Sequence, residues 1–128
     1  MDEIHLAVNG SLMRGFALNE NLLAVNAEFI REDSTTAEYR MWSINDQYPA
    51  MQRDQTGGKN INVEIWKMTP EALLKILESE PPGLCLGKIE LRDEQWVFGI
   101  LGEGHICQGM REITEWGGWR NYFTRKKA

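Results

Sequence analysis

The chain has 128 residues, of which 42% are hydrophobic and 26% charged, and this composition predicts one folded globular domain over residues 1–128. A formal net charge of −5 argues against a nucleic-acid partner, because nucleic-acid binding requires a basic face. The sequence has no signal-peptide pattern, no long apolar run and only two cysteines, which predicts a soluble, cytoplasmic protein without a membrane partner.

Strand patterns come first along the chain. Runs rich in β-branched, aromatic and aliphatic residues predict strands at residues 4–8, 22–30, 38–44, 84–91 and 95–101. Residues 56–59 (TGGK) have the composition of a hairpin turn. The arm that follows alternates, with Ile61, Val63 and Ile65 on one face and Asn62, Glu64 and Trp66 on the other.

The stretch TPEALLKILESE (69–80) is the clearest helix pattern. Thr69 is a natural N-cap, and Pro70 suits the first helical position. Leucine and isoleucine side chains give a buried stripe, formed by Leu73, Leu74, Ile76 and Leu77. The helix stops before Pro81, because a residue that precedes proline is disfavoured in the α region.

The end of the chain, residues 111–123, is compatible with a short helix or with packed coil around Gly117 and Gly118. No repeat, low-complexity segment or linker interrupts the pattern. The elements together predict a single α+β domain with a mixed, mostly antiparallel, barrel-like sheet.

The turn after the first strand, which contains Gly10, Ser11 and Leu12, is the first candidate binding element. Consecutive backbone N–H groups in such a turn can form a nest that holds a carboxylate or a phosphate. An ordinary turn, in which glycine relieves strain and serine caps a donor, is the alternative that these residues alone favour.

Glu80 is the candidate for proton transfer. It ends the predicted helix, where the negative partial charge raises the pKa of a carboxylic acid. A carboxylic acid with a raised pKa can exchange a proton near neutral pH. The alternative is a solvated acid at a helix end, as we expect for Glu78.

Metal and cofactor chemistry have little support in the sequence. His5, Cys85, His105 and Cys107 do not have the spacing of a zinc site, so we expect no metal. The glycine motifs of nucleotide-binding proteins and the serine-hydrolase elbow are also missing from the sequence, and we expect no cofactor.

Several motifs resemble one family. NGSLMRG (9–15) resembles the Y-G-[ST]-L-x-x-G loop of the γ-glutamylcyclotransferase-like fold. LAVNGSLMRG, AEYRMWSIND, EPPGLCLGKIEL and REITEWGGWRNY resemble, more specifically, the C-terminal domain of allophanate hydrolase. The resemblance runs from His5 to Phe123, and EPPGLCLGK and GGWRNY are its most distinctive parts.

The resemblance implies a small mixed β-barrel with a few flanking helices and a pocket at the glycine-serine loop. By position, Gly10, Ser11 and Leu12 are expected to hold a substrate carboxylate and Glu80 to move a proton. Tyr39 and Arg40 are further substrate-binding candidates, since a guanidinium clamps a carboxylate. The implied reaction is decarboxylation of N-carboxycarbamate or a similar small carboxylated nitrogen compound.

Two other functions stay open at this level. One is a γ-glutamylcyclotransferase-like enzyme that releases 5-oxoproline, although Asn9 stands where that family usually has tyrosine. The other is a non-catalytic module that binds a metabolite or docks onto an amidase. The expected partners are a small acidic substrate and a separately encoded amidase, and the sequence leaves open whether the chain forms a homodimer.

Overall fold

The computed structural model describes residues 3–127, with side chains up to Arg125. The eight strands are β1 (Ile4–Val8), β2 (Glu28–Ser34), β3 (Tyr39–Ile44), β4 (Tyr48–Arg53), β5 (Asn62–Met68), β6 (Leu84–Glu90), β7 (Trp96–Gly102) and β8 (Arg111–Glu112). The four α-helices are α1 (Asn19–Ala24), α2 (Pro70–Ser79), α3 (Gly104–Cys107) and α4 (Trp119–Lys127), and a 3₁₀ turn covers Thr114–Trp116. No helix within residues 3–127 is long and apolar enough to cross a membrane.

The strands form two sheets. The larger sheet has the order β2-β5-β1-β7-β6, and the smaller has the order β4-β3-β8. Every pairing is antiparallel except that of β1 with β7, which is parallel. The α+β class and the mixed, mostly antiparallel sheet are therefore confirmed. The strands described do not close into one barrel, since they divide between the two sheets.

Strand β5 lies between β2 and β1 and is buried on both of its faces. The face that carries Ile61, Val63 and Ile65 is turned to the core, because all three are at most 2% exposed. Its opposite face is also covered, so that Trp66 and the carboxylate of Glu64 are each only 2% exposed. The alternation of polar and apolar residues along this strand therefore does not mark a solvated face.

Helix α2 begins as its capping residues predict. The Thr69 hydroxyl oxygen accepts a hydrogen bond from the backbone N–H of Ala72 at 3.1 Å, and Pro70 occupies the first turn. Leu73 and Ile76 are buried, but Leu74 is 63% exposed, so its place in the buried stripe was wrongly predicted. Leu74 follows Leu73 by one residue, which turns it about 100° away from the apolar face.

The predicted strand at 22–30 is wrong in its first half, because residues 19–24 form α1 and β2 begins only at Glu28. Leu22 is fully buried from this helix, while Leu23 next to it is 57% exposed. A short apolar run does not by itself distinguish a helix from a strand. Packing of Leu22 against the core, which the local sequence does not show, accompanies the helical conformation here.

The predicted hairpin at residues 56–59 is also wrong. Strands β4 and β5 on either side of it belong to different sheets, so these residues form a crossover. A hairpin instead joins β3 to β4, and its turn contains Asn45 and Asp46, with φ of 53° and 58°. Asparagine and aspartate tolerate this left-handed backbone better than most residues with side chains.

Of the two alternatives predicted for residues 111–123, a short helix or packed coil, the structure has helix. The 3₁₀ turn ends at Gly117, which has a φ of 73°, and α4 starts two residues later. Trp119 and Tyr122 anchor α4 in the core, each at most 2% exposed. As a result, the first turn of α4 lies near the C-terminal end of β2 and the N-terminal end of β5, and a cavity described below lies between them.

Candidate functional site

The loop that follows β1 is held in a fixed position. The side-chain amide of Asn9 donates a hydrogen bond to the Ile100 carbonyl in β7 at 3.0 Å. Gly10 packs directly on Pro49, and a Cβ atom at Gly10 would lie 2.5 Å from the Pro49 Cδ. A residue with a side chain therefore cannot replace Gly10 without a shift of the backbone.

The carbonyl groups of Gly10 and Ser11 accept hydrogen bonds, but the N–H groups of this loop donate none within the described residues. The Gly10 carbonyl accepts from the Met13 N–H and the Ser11 carbonyl from the Leu18 N–H, both at 3.0 Å. Within residues 3–125, the N–H groups of Gly10, Ser11 and Leu12 have no hydrogen-bond acceptor. Such free donors are what a nest for a carboxylate requires.

These residues border a small pocket, which we call the Glu80 pocket. Its other walls come from β4, β6, β7 and the end of α2, and include Tyr48, Pro49, Glu80, Leu84 and Ile100. The room inside is about 20 Å³, which is enough for about one water molecule. The structure thus brings the predicted loop and the predicted glutamate together in one pocket.

Glu80 adopts an extended backbone, with φ of −80° and ψ of 148°, directly after the last residue of α2. Its own N–H donates to the Leu77 carbonyl at 3.2 Å and so caps the helix. Burial raises the pKa of the Glu80 carboxyl from its ordinary 4.5 to about 6. This is the direction that the sequence predicted, and its cause is burial in the pocket. A group with this pKa can exchange a proton near neutral pH.

Tyr39 and Arg40 do not line this pocket. Tyr39 is fully buried, and its hydroxyl oxygen accepts a hydrogen bond from the Glu90 N–H at 2.9 Å. Arg40 binds the Glu112 carboxylate through two nitrogens and Asp54 through a third, at 2.6 to 3.0 Å. Substrate binding by Tyr39 and Arg40 stays a prediction that this arrangement does not support.

Sequence reasoning did not single out Tyr48 and Pro49 as pocket residues. Both follow the turn of the β3–β4 hairpin, which the sequence pattern did not predict. A correct placement of that hairpin would have put Pro49 opposite Ser43 at the sheet end.

The residues considered for a metal site lie on three elements, with His5 on β1, Cys85 on β6, and His105 and Cys107 on α3. In the part of the chain that the structure describes, no three His, Cys, Asp or Glu side chains are placed to hold a metal ion. Cys107 is buried, which raises the pKa of its thiol. Cys85 is exposed, and its thiol lies 3.4 Å from the Leu101 carbonyl.

Comparison with known proteins agrees with this fold. The model of the allophanate hydrolase C-terminal domain matches residues 4–124, and the chain therefore belongs to this family. The urea amidolyase of Saccharomyces cerevisiae is 27% identical over 97% of the chain. The chain spans only 7% of the length of that relative, whose remaining parts have no counterpart in these 128 residues.

Solved structures give the same result. A uropathogenic E. coli-specific protein is 48% identical, with a TM-score of 0.94 and coverage of 97% of this chain and 98% of that one. Kluyveromyces lactis allophanate hydrolase is 25% identical, with a TM-score of 0.90, over 98% of this chain and 22% of that one. An AIG2-like protein from Mus musculus, 18% identical with a TM-score of 0.63 over 80% of this chain and 78% of that one, shares the fold alone.

Proposed function

We propose that this chain decarboxylates N-carboxycarbamate or a similar small carboxylated nitrogen compound in the Glu80 pocket. The observation that carries the proposal is the meeting of two groups in one pocket. These are the unpartnered N–H groups of Gly10, Ser11 and Leu12 and the partly buried carboxyl of Glu80, whose pKa is about 6. Membership of the allophanate hydrolase C-terminal family supports a substrate from urea metabolism.

In the proposed reaction the substrate carries two carboxylates on one nitrogen. The loop N–H groups hold the carboxylate that is retained, because backbone donors stabilise an anion without needing a charged side chain. The protonated Glu80 gives its proton to the nitrogen while the bond from that nitrogen to the other carboxylate carbon breaks. The electron pair of the broken bond goes to nitrogen, CO₂ leaves, and carbamate remains. Glu80 then takes a proton from solvent and is ready for another turnover.

Entry of the substrate requires the pocket to open. Its present room of about 20 Å³ holds a water-sized group only. Tyr48 and Glu80 are both partly exposed at the pocket, and an outward turn of these side chains is the movement that the proposal needs.

The small volume favours a second candidate, a module without catalysis that docks onto an amidase. The structure of K. lactis allophanate hydrolase, of which this chain matches 22%, supports the idea that such a domain works beside another one. The cyclotransferase alternative has weaker support, because the AIG2-like neighbour at 18% identity gives the fold alone.

The deciding experiment follows carbon-13-labelled allophanate by NMR in the presence of an allophanate-cleaving amidase. We expect the N-carboxycarbamate signal to disappear faster when this protein is added. Glu80→Gln is expected to abolish the acceleration, and Glu78→Gln, which removes the same charge from an exposed position on α2, to leave it intact. An unchanged time course with the native protein would eliminate the decarboxylase and favour the docking module. Equal acceleration by native protein and Glu80→Gln would remove Glu80 from the reaction.

A further inference from the structure

A second cavity lies between the first turn of α4 and the ends of β2 and β5. Its volume is about 420 Å³, which is within the range of small-molecule sites. Polar and charged side chains dominate its lining, among them Ser34, Asn62, Glu64, Arg92, Arg120 and Asn121. It shares no lining residue with the Glu80 pocket, and we call it the Arg92 cavity.

The wall of the Arg92 cavity is built around a buried carboxylate. Glu64 is 2% exposed, and its two oxygens accept four hydrogen bonds at 3.0 to 3.2 Å. The donors are the Arg14 backbone N–H, the Arg14 side chain, the Trp66 indole and the Arg120 guanidinium. A carboxylate that is saturated in this way positions its partners and has no free lone pair for a ligand donor.

This network fixes the position of Arg120 but occupies only one of its three side-chain nitrogens. Its Nη2 donates to Glu64 at 3.1 Å and to the Arg14 carbonyl at 2.9 Å. The Nε and Nη1 groups of Arg120 have no acceptor among the residues described. A pre-oriented guanidinium with unused donors is suited to bind an anion.

Other donors at the cavity are free as well. Ser34 is 7% exposed, lines the cavity, and its hydroxyl has no hydrogen-bond partner within the described ranges. The Arg92 backbone N–H donates to the Ser34 carbonyl at 3.0 Å, which sets the two residues side by side, and the Arg92 guanidinium is also without a described partner. By contrast, the oxygens of Asp33 accept from the Ser34 N–H at 2.8 Å and from Arg31 at 2.9 Å. The cavity therefore offers donors to a ligand that is rich in acceptors.

The electrostatics favour an anion with a single charge. The N-terminal turn of α4 lines the cavity and contributes its positive partial charge. The lining residues and their ion-pair partners include four positive and three negative side chains. The positive ones are Arg14, Arg31, Arg92 and Arg120, and the negative ones are Glu32, Asp33 and Glu64. The excess of one positive charge suits a carboxylate better than a phosphate dianion.

We propose that the Arg92 cavity binds a small organic monocarboxylate, whose carboxylate accepts hydrogen bonds from Ser34, Arg92 and Arg120. This site is separate from the Glu80 pocket and does not depend on the decarboxylase proposal. It gives the domain a second place for a small acid, on a different set of strands from the first.

The test is an NMR titration of nitrogen-15-labelled protein with acetate, acetamide and inorganic phosphate. We expect saturable shifts with acetate at the amides of Ser34, Arg92 and the first turn of α4, and none of this kind with neutral acetamide. Arg92→Gln is expected to weaken acetate binding about tenfold or more, because a charge-assisted hydrogen bond is lost. Lys75→Gln, which removes one positive charge from an exposed position on α2, serves as the matched control and is expected to bind acetate as the native protein does.

Four outcomes would overturn the proposal. Saturable shifts confined to Gly10, Ser11 and Leu12 would place the acid at the Glu80 pocket alone. If Arg92→Gln and Ser34→Ala both left acetate binding unchanged, Arg92 and Ser34 would not be the ligand contacts. If no acetate binding were saturable, the cavity would not be a binding site. Tighter binding of phosphate than of acetate would refute the preference for a single charge.

Discussion

The partly buried carboxyl of Glu80 makes the stability of the fold depend on pH in a predictable way. Burial raises its pKa from 4.5 to about 6, which means that the folded state favours the protonated form. Each pKa unit is worth about 1.4 kcal/mol, so ionising Glu80 in the folded protein costs about 2 kcal/mol relative to the unfolded chain. This cost is absent below the unfolded pKa, develops between about pH 4.5 and 6, and is complete above that window.

Glu80→Gln removes the ionisation and therefore the cost. We expect the variant to be more stable than the native protein by about 2 kcal/mol above about pH 7, and to lose this advantage below about pH 4. Urea unfolding of both proteins across this range measures the difference. Glu78→Gln, in the exposed last turn of the same helix, controls for the loss of one negative charge. A stability difference between native protein and Glu80→Gln that is the same at both ends of the range would refute the buried-acid interpretation.

The other predictions concern the loop and the helix that bring the pocket residues together. Gly10→Ala is expected to lower the free energy of unfolding by about 1–3 kcal/mol, because its Cβ would lie 2.5 Å from Pro49. Gly104→Ala, where the nearest atom is a side-chain nitrogen at 3.4 Å, should have little effect in the same urea assay. Ile76→Ala should cost about 2–5 kcal/mol, since Ile76 is 1% exposed on α2. Leu74→Ala, 63% exposed on that helix, should stay within about 0.5 kcal/mol of the native value, and equal losses in the two variants would contradict the observed helix face.

Features that depend on local chemistry could be predicted from the sequence. Helix α2 starts at a residue whose hydroxyl caps it, and it stops before two prolines, so both ends follow from a few neighbouring residues. The position of Glu80 at the pocket edge follows from that boundary together with the family resemblance. Local rules were sufficient because no distant residue has to be known for either end of the helix.

Features that depend on the partner of a segment could not be predicted in this way. The glycine pair near residue 57 signals a change of direction, but nothing local states that β5 then joins a different sheet from β4. The alternation along β5 puts Glu64 on the face opposite Val63 and Ile65, but nothing local states that this face is buried as well. Its burial depends on Arg14 and Arg120, which are 50 and 56 positions away in the sequence. Arg40 was assigned to the pocket because of its charge, yet its guanidinium is paired with Glu112 on β8 and with Asp54 just after β4.

The parallel pairing of β1 with β7 has a consequence for how the domain folds. The Glu80 pocket is bounded by the end of β1, by the residue after α2 and by Ile100 in β7, so its walls come from segments more than ninety positions apart in the sequence. Bringing such distant segments together costs loop-closure entropy before their contacts contribute stability. Domains that are rich in long-range contacts therefore fold slowly. During synthesis the pocket cannot assemble until β7 has left the ribosome, and we expect its walls to form together, in the last stage of folding.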